Sequence, residues 1–125
     1  MPHQERRRTR ADVAAHARQL LESLGKRPEQ VAATLARAGV RGVPGDARSC
    51  AVARFLGAVV ACDPDIRGVA VTASELVVLR RRWWVRPVTV ELPEPVREFV
   101  AAFDRGRYPE VCEVPQRGEQ RLVGT

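Results

Sequence analysis

Four arginines and two tryptophans crowd into residues 80–86, which read Arg-Arg-Arg-Trp-Trp-Val-Arg. Arginine binds phosphate oxygens bidentately and aromatic rings stack on unpaired bases, so this Arg/Trp segment (residues 80–86) carries the side chains of a nucleic-acid contact. Two other interpretations stay open. One is a protein-recognition surface, and the other is a strand edge guarded by charge, with arginine stems lying on the tryptophan rings. The candidate binding residues are Arg80, Arg81, Arg82, Trp83, Trp84 and Arg86.

A second basic stretch lies at the N-terminus, where Arg6, Arg7 and Arg8 belong to a polar segment without apolar period. We expect residues 1–8 to be a flexible basic arm. The chain has 21 Lys and Arg against 15 Asp and Glu, a net charge of +6. This balance favours anionic partners such as DNA or RNA. Nearly all the cations are arginine, however, so part of the excess reflects a GC-rich coding genome.

Three more arginines, Arg41, Arg48 and Arg54, surround a glycine-rich loop that leads into a helix. Backbone N–H groups at a helix N-terminus attract anions, which makes this loop a weak anion-binding candidate. Neither the phosphate-binding pattern G-x-x-x-x-G-K-[ST] nor the dinucleotide-binding pattern G-x-G-x-x-G is present. An ordinary loop entering a helix is the competing interpretation.

Catalytic and metal chemistry have little support in the residue pattern. Cys50 is expected in the first turn of a helix, a position that can lower a thiol pKa. The only candidate bases are His3 and His16, and neither has a recognisable catalytic context. The 3 cysteines lack C-x-x-C spacing, which argues against a zinc site and against a disulfide scaffold. We therefore predict a protein that is not an enzyme and that uses no metal or cofactor.

The elements that position these groups are organised around residues 45–65, which predict a hub helix. Its apolar residues recur with a period of 3.6: Val52, Phe55, Leu56, Val59 and Val60. Asp46 or Ser49 is expected to cap its N-terminus, and Pro64 to end it. A helix-turn-helix interpretation of residues 28–61 is disfavoured, because such motifs have turns of about 3–4 residues and this connection is longer.

Two helices precede the hub helix, and a sheet and one more helix follow it. Thr9-x-x-Asp12 resembles a capping box for the first helix, and Pro28 suits the first turn of the second. After Pro64 the apolar period changes from 3.6 to 2, which predicts three short strands in an antiparallel meander. The last helix opens after Pro93. The order predicts an α+β fold with three N-terminal helices, a three-stranded antiparallel meander and a C-terminal helix around one core.

This fold predicts a flexible arm at residues 1–8, one α+β domain at residues 9–111 and a C-terminal tail at residues 112–125. Strand alternation places Arg80 on the face of Leu76 and Val78, and Arg81 on the opposite face. We expect the Arg/Trp segment to project into solvent, where the cover of the core ends. The residues expected to be largely buried are Leu20, Leu24, Leu35, Phe55, Leu56, Val59, Val78, Val90, Phe99 and Phe103.

The stretches GVRGVPGDARSCAVARFL and LPEPVREFVAAFDRGRYPEV, separated by a short sheet, resemble a group of small uncharacterised actinobacterial proteins. The resemblance covers roughly residues 35–111, and it departs at Ala51, where the group carries a proline. It implies a bacterial, intracellular protein and no particular activity. The longest apolar run is too short to cross a bilayer, and the N-terminus MPHQERRRTR lacks the apolar core of a signal peptide. We therefore expect a cytoplasmic protein without membrane contact.

The sequence thus predicts a small non-enzymatic binding protein that contacts nucleic acid through the Arg/Trp segment and the N-terminal arm. The alternative is a protein-interaction or homodimerising module that uses the same surface. The outer face of the sheet separates the two functions. A broad basic surface would favour nucleic acid, and an apolar patch with a polar rim would favour a protein partner.

Overall fold

A three-stranded antiparallel sheet in the order β1-β2-β3 forms one layer of the protein in a computed structural model, which describes residues 9–82 and 84–113. Its strands are β1 (Ile66–Val71), β2 (Glu75–Arg80) and β3 (Val88–Glu91). The backbone N–H of Thr72 donates to the carbonyl of Glu75 at 2.8 Å and closes a tight turn between β1 and β2. The meander predicted from the period of 2 is confirmed.

The two faces of the sheet differ in burial. The inner face carries buried apolar side chains from all three strands: Val69, Val71, Leu76, Val78, Val88 and Val90. The outer face carries half-buried or exposed residues: Gly68, Ala70, Glu75, Val77, Leu79, Thr89 and Glu91. A register shift between Ile66 and Gly68 makes Arg67 the extra residue of a β-bulge.

Four helices and one short 3₁₀ helix accompany the sheet. They are α1 (Arg10–Glu22), α2 (Pro28–Arg37), α3 (Ala51–Val59), α4 (Glu94–Asp104) and the 3₁₀ helix η1 (Pro109–Val111). Helix α1 packs against β3 and α3 packs against β1, whereas α2 packs mainly on α4. The predicted capping box of α1 is present, since Thr9 and Asp12 exchange backbone-to-side-chain hydrogen bonds. The α+β architecture and the order of its elements are confirmed.

Helix α3 begins later than the sequence predicts, and it buries a different face. Its N-cap is Cys50, whose Sγ accepts a hydrogen bond from the Ala53 N–H at 3.5 Å, so the prediction of Asp46 or Ser49 as cap is wrong. Asp46 instead accepts from the backbone N–H of Ser49 at 3.2 Å in the preceding turn. The buried residues of α3 are Ala51, Val52, Ala53 and Leu56.

One predicted core residue of α3 lies outside the core. Val59 is the last residue of the helix and is 44% exposed, whereas Phe55 is half-buried and packs against the core. At the other end of α3 the Gly42 loop lies close to the first turn, since a Cβ at Gly42 would stand 2.1 Å from the Ala51 nitrogen. The small residues Ala51 and Ala53 take the buried positions in that turn.

The remaining predicted core residues fall into two groups. Leu20 is half-buried and packs against the core from outside. The other predicted residues are buried as expected: Leu24, Leu35, Leu56, Val78, Val90, Phe99 and Phe103. The two phenylalanines stack at 5.5 Å between ring centroids and join α4 to the centre of the core.

The segment after α4 folds back onto the body. The ring of Tyr108 lies 5.2 Å from that of Phe99, measured between centroids. Gly42 donates from its N–H to the Val111 carbonyl at 2.9 Å, and its own carbonyl accepts from the Glu113 N–H at 2.8 Å. Residues 111–113 are therefore tied to the loop at Gly42 by backbone hydrogen bonds.

Candidate functional site

The Arg/Trp segment spans the end of β2 and the connection to β3, but its first arginine is not a surface residue. Arg80 is only 8% exposed, because it follows Leu76 and Val78 on the inner face of the sheet. Its Nε and Nη2 donate to Asp65 Oδ2 at 2.9 and 2.5 Å. The expectation that Arg80 projects into solvent is therefore wrong, since the core still covers this end of β2.

One nitrogen of the buried guanidinium of Arg80 lacks a partner. Its Nη1 is buried and has no hydrogen-bond partner among the described residues. A buried donor without a partner lowers stability, because it loses its hydrogen bonds to water without replacement. The ion pair with Asp65 holds Arg80 in place, so Arg80 has a structural role at this end of the sheet.

Arg81 lies on the opposite face and is held by backbone carbonyls. Its Nε donates to the Pro64 carbonyl at 2.8 Å, and its Nη2 donates to the Ile66 carbonyl at 3.4 Å. Its backbone N–H donates to the Asp65 carbonyl at 2.8 Å. Carbonyl oxygens orient the guanidinium without neutralising its charge. The turn before β1 thus presents Arg81 as an oriented, exposed cation.

Three other members of the Arg/Trp segment lie near Arg81 on the β2–β3 connection. Trp84 is 64% exposed, Arg86 is exposed and Arg82 is half-buried. We call Arg81, Arg82, Trp84 and Arg86 the basic hairpin end. The predictions for Trp83 and for Arg6, Arg7 and Arg8 concern residues outside the described ranges.

A further arginine, which the sequence analysis missed, joins the basic hairpin end. Arg10, the first residue of α1, donates from Nη1 to the Arg86 carbonyl and from Nη2 to the Pro87 carbonyl, both at 3.1 Å. No local pattern signals this contact, because the partners are 76 and 77 residues apart. The contact places the start of α1 beside the basic hairpin end, and the N-terminal arm precedes α1 directly in the sequence.

Charge is unevenly distributed along the strands. Among the described residues, the ion pairs with a carboxylate involve Arg27, Arg54 and Arg80, and no arginine of the basic hairpin end. The opposite end of the sheet is acidic. There Glu75 lies directly across from Glu91, and Glu94 begins α4. The sheet therefore has a basic end and an acidic end.

The arginines of the weaker anion-binding candidate do not act as one group. Arg54 donates to the Arg41 carbonyl at 3.0 Å and forms an ion pair with Glu113 at 2.6 Å. The Nη2 of Arg48 lies instead 3.7 Å from where a Cβ of Gly68 would be, beside β1. The guanidinium group of Arg48 thus lies beside β1, whereas that of Arg54 contacts Arg41 and Glu113.

Cys50 borders an open cleft of about 220 Å³ whose lining includes Asp46, Thr72 and Asp104. The thiol is only 3% exposed, and burial raises its pKa above the ordinary value. Backbone N–H groups of Ala53 and Val52 oppose this rise, whereas the two carboxylates add to it. A thiol whose pKa is raised holds its proton and is a poor nucleophile at neutral pH.

The outer face of the sheet is neither broadly basic nor a large apolar patch. Its central residues Ala70, Val77 and Leu79 are half-buried and apolar. Arginines border them at one end, and Glu75 and Glu91 border them at the other. Both predicted partner classes, nucleic acid and protein, therefore retain a physical basis on this surface.

Within residues 9–82 and 84–113, no group of three or more His, Cys, Asp or Glu side chains is placed to hold a metal ion. No helix of that part of the chain combines the length and the apolarity that crossing a membrane requires. Comparison of the chain with protein families, curated proteins and solved structures finds no match in any of the three. The actinobacterial resemblance stays a prediction.

Proposed function

We propose that this protein binds nucleic acid, without catalysing a reaction, through the basic hairpin end. The observation that carries the proposal is the state of Arg81, whose guanidinium is exposed and is oriented by the Pro64 and Ile66 carbonyls. Oriented guanidinium groups that keep their charge are suited to phosphate oxygens. Trp84 supplies an exposed ring beside them for stacking on a base.

Arg10 and the N-terminal arm extend the proposed contact. Arg10 already lies against the backbone of Arg86 and Pro87. The proposal includes Arg6, Arg7 and Arg8 as further cations, because they lie within four residues of Arg10 in the sequence. A cytoplasmic location is part of the proposal, since DNA and RNA are accessible there in a bacterium.

The test is fluorescence anisotropy of labelled DNA and RNA, measured at several salt concentrations. Replacing Arg82 and Arg86 together with alanine should weaken binding to all sequences and reduce the salt dependence by about one unit of slope per lost phosphate contact. The Trp84→Ala variant should lose about 1–3 kcal/mol of single-strand binding. Arg80 is not a suitable target, because its replacement disturbs the buried ion pair with Asp65.

A matched control separates local contact from net charge. Arg105 and Arg107 are exposed residues just after α4, next to Asp104 and so near the Thr72 end of the sheet. Changing both to alanine removes the same charge as the Arg82/Arg86 pair and should leave affinity nearly unchanged. Equal losses in the two double variants, or no binding by wild type at low salt, would refute the proposal.

A second candidate function is protein recognition or homodimerisation, and the exposure of Trp84 favours it. Tryptophan is a frequent hot-spot residue, and here its side chain is 64% exposed. If wild type binds no nucleic acid but elutes as a dimer that Trp84→Ala dissociates, this second function replaces the first. Size-exclusion chromatography with light scattering gives that result directly.

A further inference from the structure

We infer that the ligand is single-stranded nucleic acid and that it crosses the outer face of the sheet at its basic end, from the basic hairpin end to Arg48. This inference rests on the proposed function. Beyond that function, it specifies the route of the ligand across the sheet, a single-stranded rather than duplex ligand, and a second binding residue, Arg48, far from the Arg/Trp segment in sequence.

The path follows one row of residues across the three strands. Gly68 of β1 pairs with Leu79 of β2. Val78 pairs with Val88 of β3, so Pro87, which precedes Val88, lies beside Leu79. We call Gly68, Leu79 and Pro87 the crossing row. It has no charged side chain of its own.

Cations stand at both ends of the crossing row. At the β1 end, the guanidinium of Arg48 lies 3.7 Å from the Cβ position of Gly68, and Arg81 reaches the Ile66 carbonyl nearby. At the β3 end, Arg86 is exposed, and Arg10 lies against its carbonyl and that of Pro87. Neighbouring strands lie about 4.8 Å apart, so a short stretch of a polyanion can contact both ends at once.

The acidic end of the same face sets the direction of the path. Glu75 and Glu91 are direct cross-strand partners on the outer face. Their carboxylates would repel a phosphate backbone that ran along the strands. The row between them and the crossing row, Ala70, Val77 and Thr89, is uncharged. A polyanion is therefore favoured across the strands, at the basic end only.

The character of the crossing row favours an unpaired strand. Leu79 is a half-buried apolar side chain on the outer face, and Trp84 of the β2–β3 connection offers an exposed ring. Such surfaces gain by covering base faces, which a single strand exposes and a duplex hides in its stack. Charge complementarity with the flanking arginines supplies the remaining affinity.

The test uses labelled oligothymidylate and oligouridylate of about 4–16 nucleotides, the range of known single-strand sites, beside a duplex of the same length. Arg48→Gln should weaken single-strand binding several-fold and lower the salt slope by about 0.7, the value for one phosphate contact on a single strand. Arg105→Gln removes an equal charge at the far end and should change neither quantity.

A second variant, Leu79→Glu, places an anion in the middle of the crossing row. It should abolish most single-strand binding while circular dichroism shows the native fold, since Leu79 lies on the outer face. If the Arg82/Arg86 variant weakens binding but Arg48→Gln and Leu79→Glu bind like wild type, the proposed function stands and the crossing path is refuted. If duplex binds as tightly as single strand, the strand state is refuted. If none of the probes binds wild type, the proposed function itself fails.

Discussion

Arg80 brings a positive charge into the inner layer of the sheet, where it forms an ion pair with Asp65. Burying an ion pair costs desolvation of both groups, and the mutual attraction repays this only with good geometry. Here one acceptor oxygen takes two donors, and Nη1 of Arg80 has no hydrogen-bond partner among the described residues. The pair fixes the position of the turn that contains Asp65. The carbonyls of this turn also accept hydrogen bonds from Arg81, so the pair helps to hold Arg81 in place.

The Arg80–Asp65 pair leads to a prediction on stability. Asp65→Ala should destabilise the protein by up to about 3–5 kcal/mol, because it leaves a buried guanidinium without its counter-charge. Adding Arg80→Met should recover much of the loss, since a methionine fills the space without a charge. Urea unfolding of wild type, both single variants and the double variant gives the coupling energy. A double variant less stable than Asp65→Ala would contradict this account.

Cys50 gives a prediction with a defined pH dependence. Because burial raises the pKa of its thiol, the unfolded chain loses this proton before the folded state does. The contribution of the thiol to stability is therefore complete below its ordinary value of 9.0 and is lost as the pH rises above it. The free energy of unfolding should fall above that pH in wild type, and less in Cys50→Ser.

Cysteine labelling supplies the control for this prediction. Cys62 is exposed and Cys50 is buried, so a thiol reagent at neutral pH should modify Cys62 quickly and Cys50 only after unfolding. Rapid modification of Cys50 in the native protein would overturn the structural role and reopen the question of a reactive thiol.

At the scale of elements, α3 depends on a loop that sequence periodicity does not reveal. Gly42 lies between the first turn of α3 and residues 111–113 at the end of η1. A Cβ there would approach the backbone of Cys50 and Ala51 to 2.4 and 2.1 Å, which no side-chain adjustment can relieve. The start of α3 is thus fixed by a contact from outside the helix.

The two glycines at and near α3 should respond oppositely to alanine. Gly42→Ala should destabilise the protein by about 1–3 kcal/mol or more, the cost typical of overpacking, because backbone atoms must move to make room for the methyl group. Gly57→Ala should stabilise by up to about 1 kcal/mol, because it improves helix propensity and meets only Val69 at 3.8 Å. Thermal unfolding monitored by circular dichroism measures both. A Gly42→Ala protein as stable as wild type would contradict the close approach.

The apolar periodicity correctly predicted the helices, the strands and the face on which a residue lies. It failed to predict burial where residues distant in sequence determine whether that face is covered. Alternation correctly placed Arg80 with Leu76 and Val78, but whether that face was covered depended on helices elsewhere in the chain. Its partner Asp65 is 15 residues away, and nothing local marks the pair. Similarly, Val59 follows the helical stripe, but it is the last residue of α3 and is 44% exposed, because the stripe does not show where the cover of the helix ends. The arginines of the candidate site were visible in sequence, but Arg10 was not.

At the scale of the whole molecule, the fold sorts a composition that looks uniformly basic. Arg80 is paired with Asp65 and Arg54 with Glu113, so these two arginines add little to the positive surface. Arg81, Arg82 and Arg86 remain at one end of the sheet, and Glu75 and Glu91 lie at the other. An asymmetric field of this kind orients an approaching polyanion before contact.

The hydrogen bonds of Gly42 with Val111 and Glu113 also constrain the order in which the chain can fold. During synthesis, the Gly42 loop leaves the ribosome long before residues 111–113 are made. The β1–β2 hairpin joins residues close in sequence and can form early. The contact of Gly42 with residues 111–113 joins residues far apart in sequence, and such contacts form slowly. We expect the nascent chain to keep the core position of Val111 open until residues 109–113 have been made. That interval is when the apolar surface of α2, against which η1 packs, is most exposed to aggregation or to chaperones.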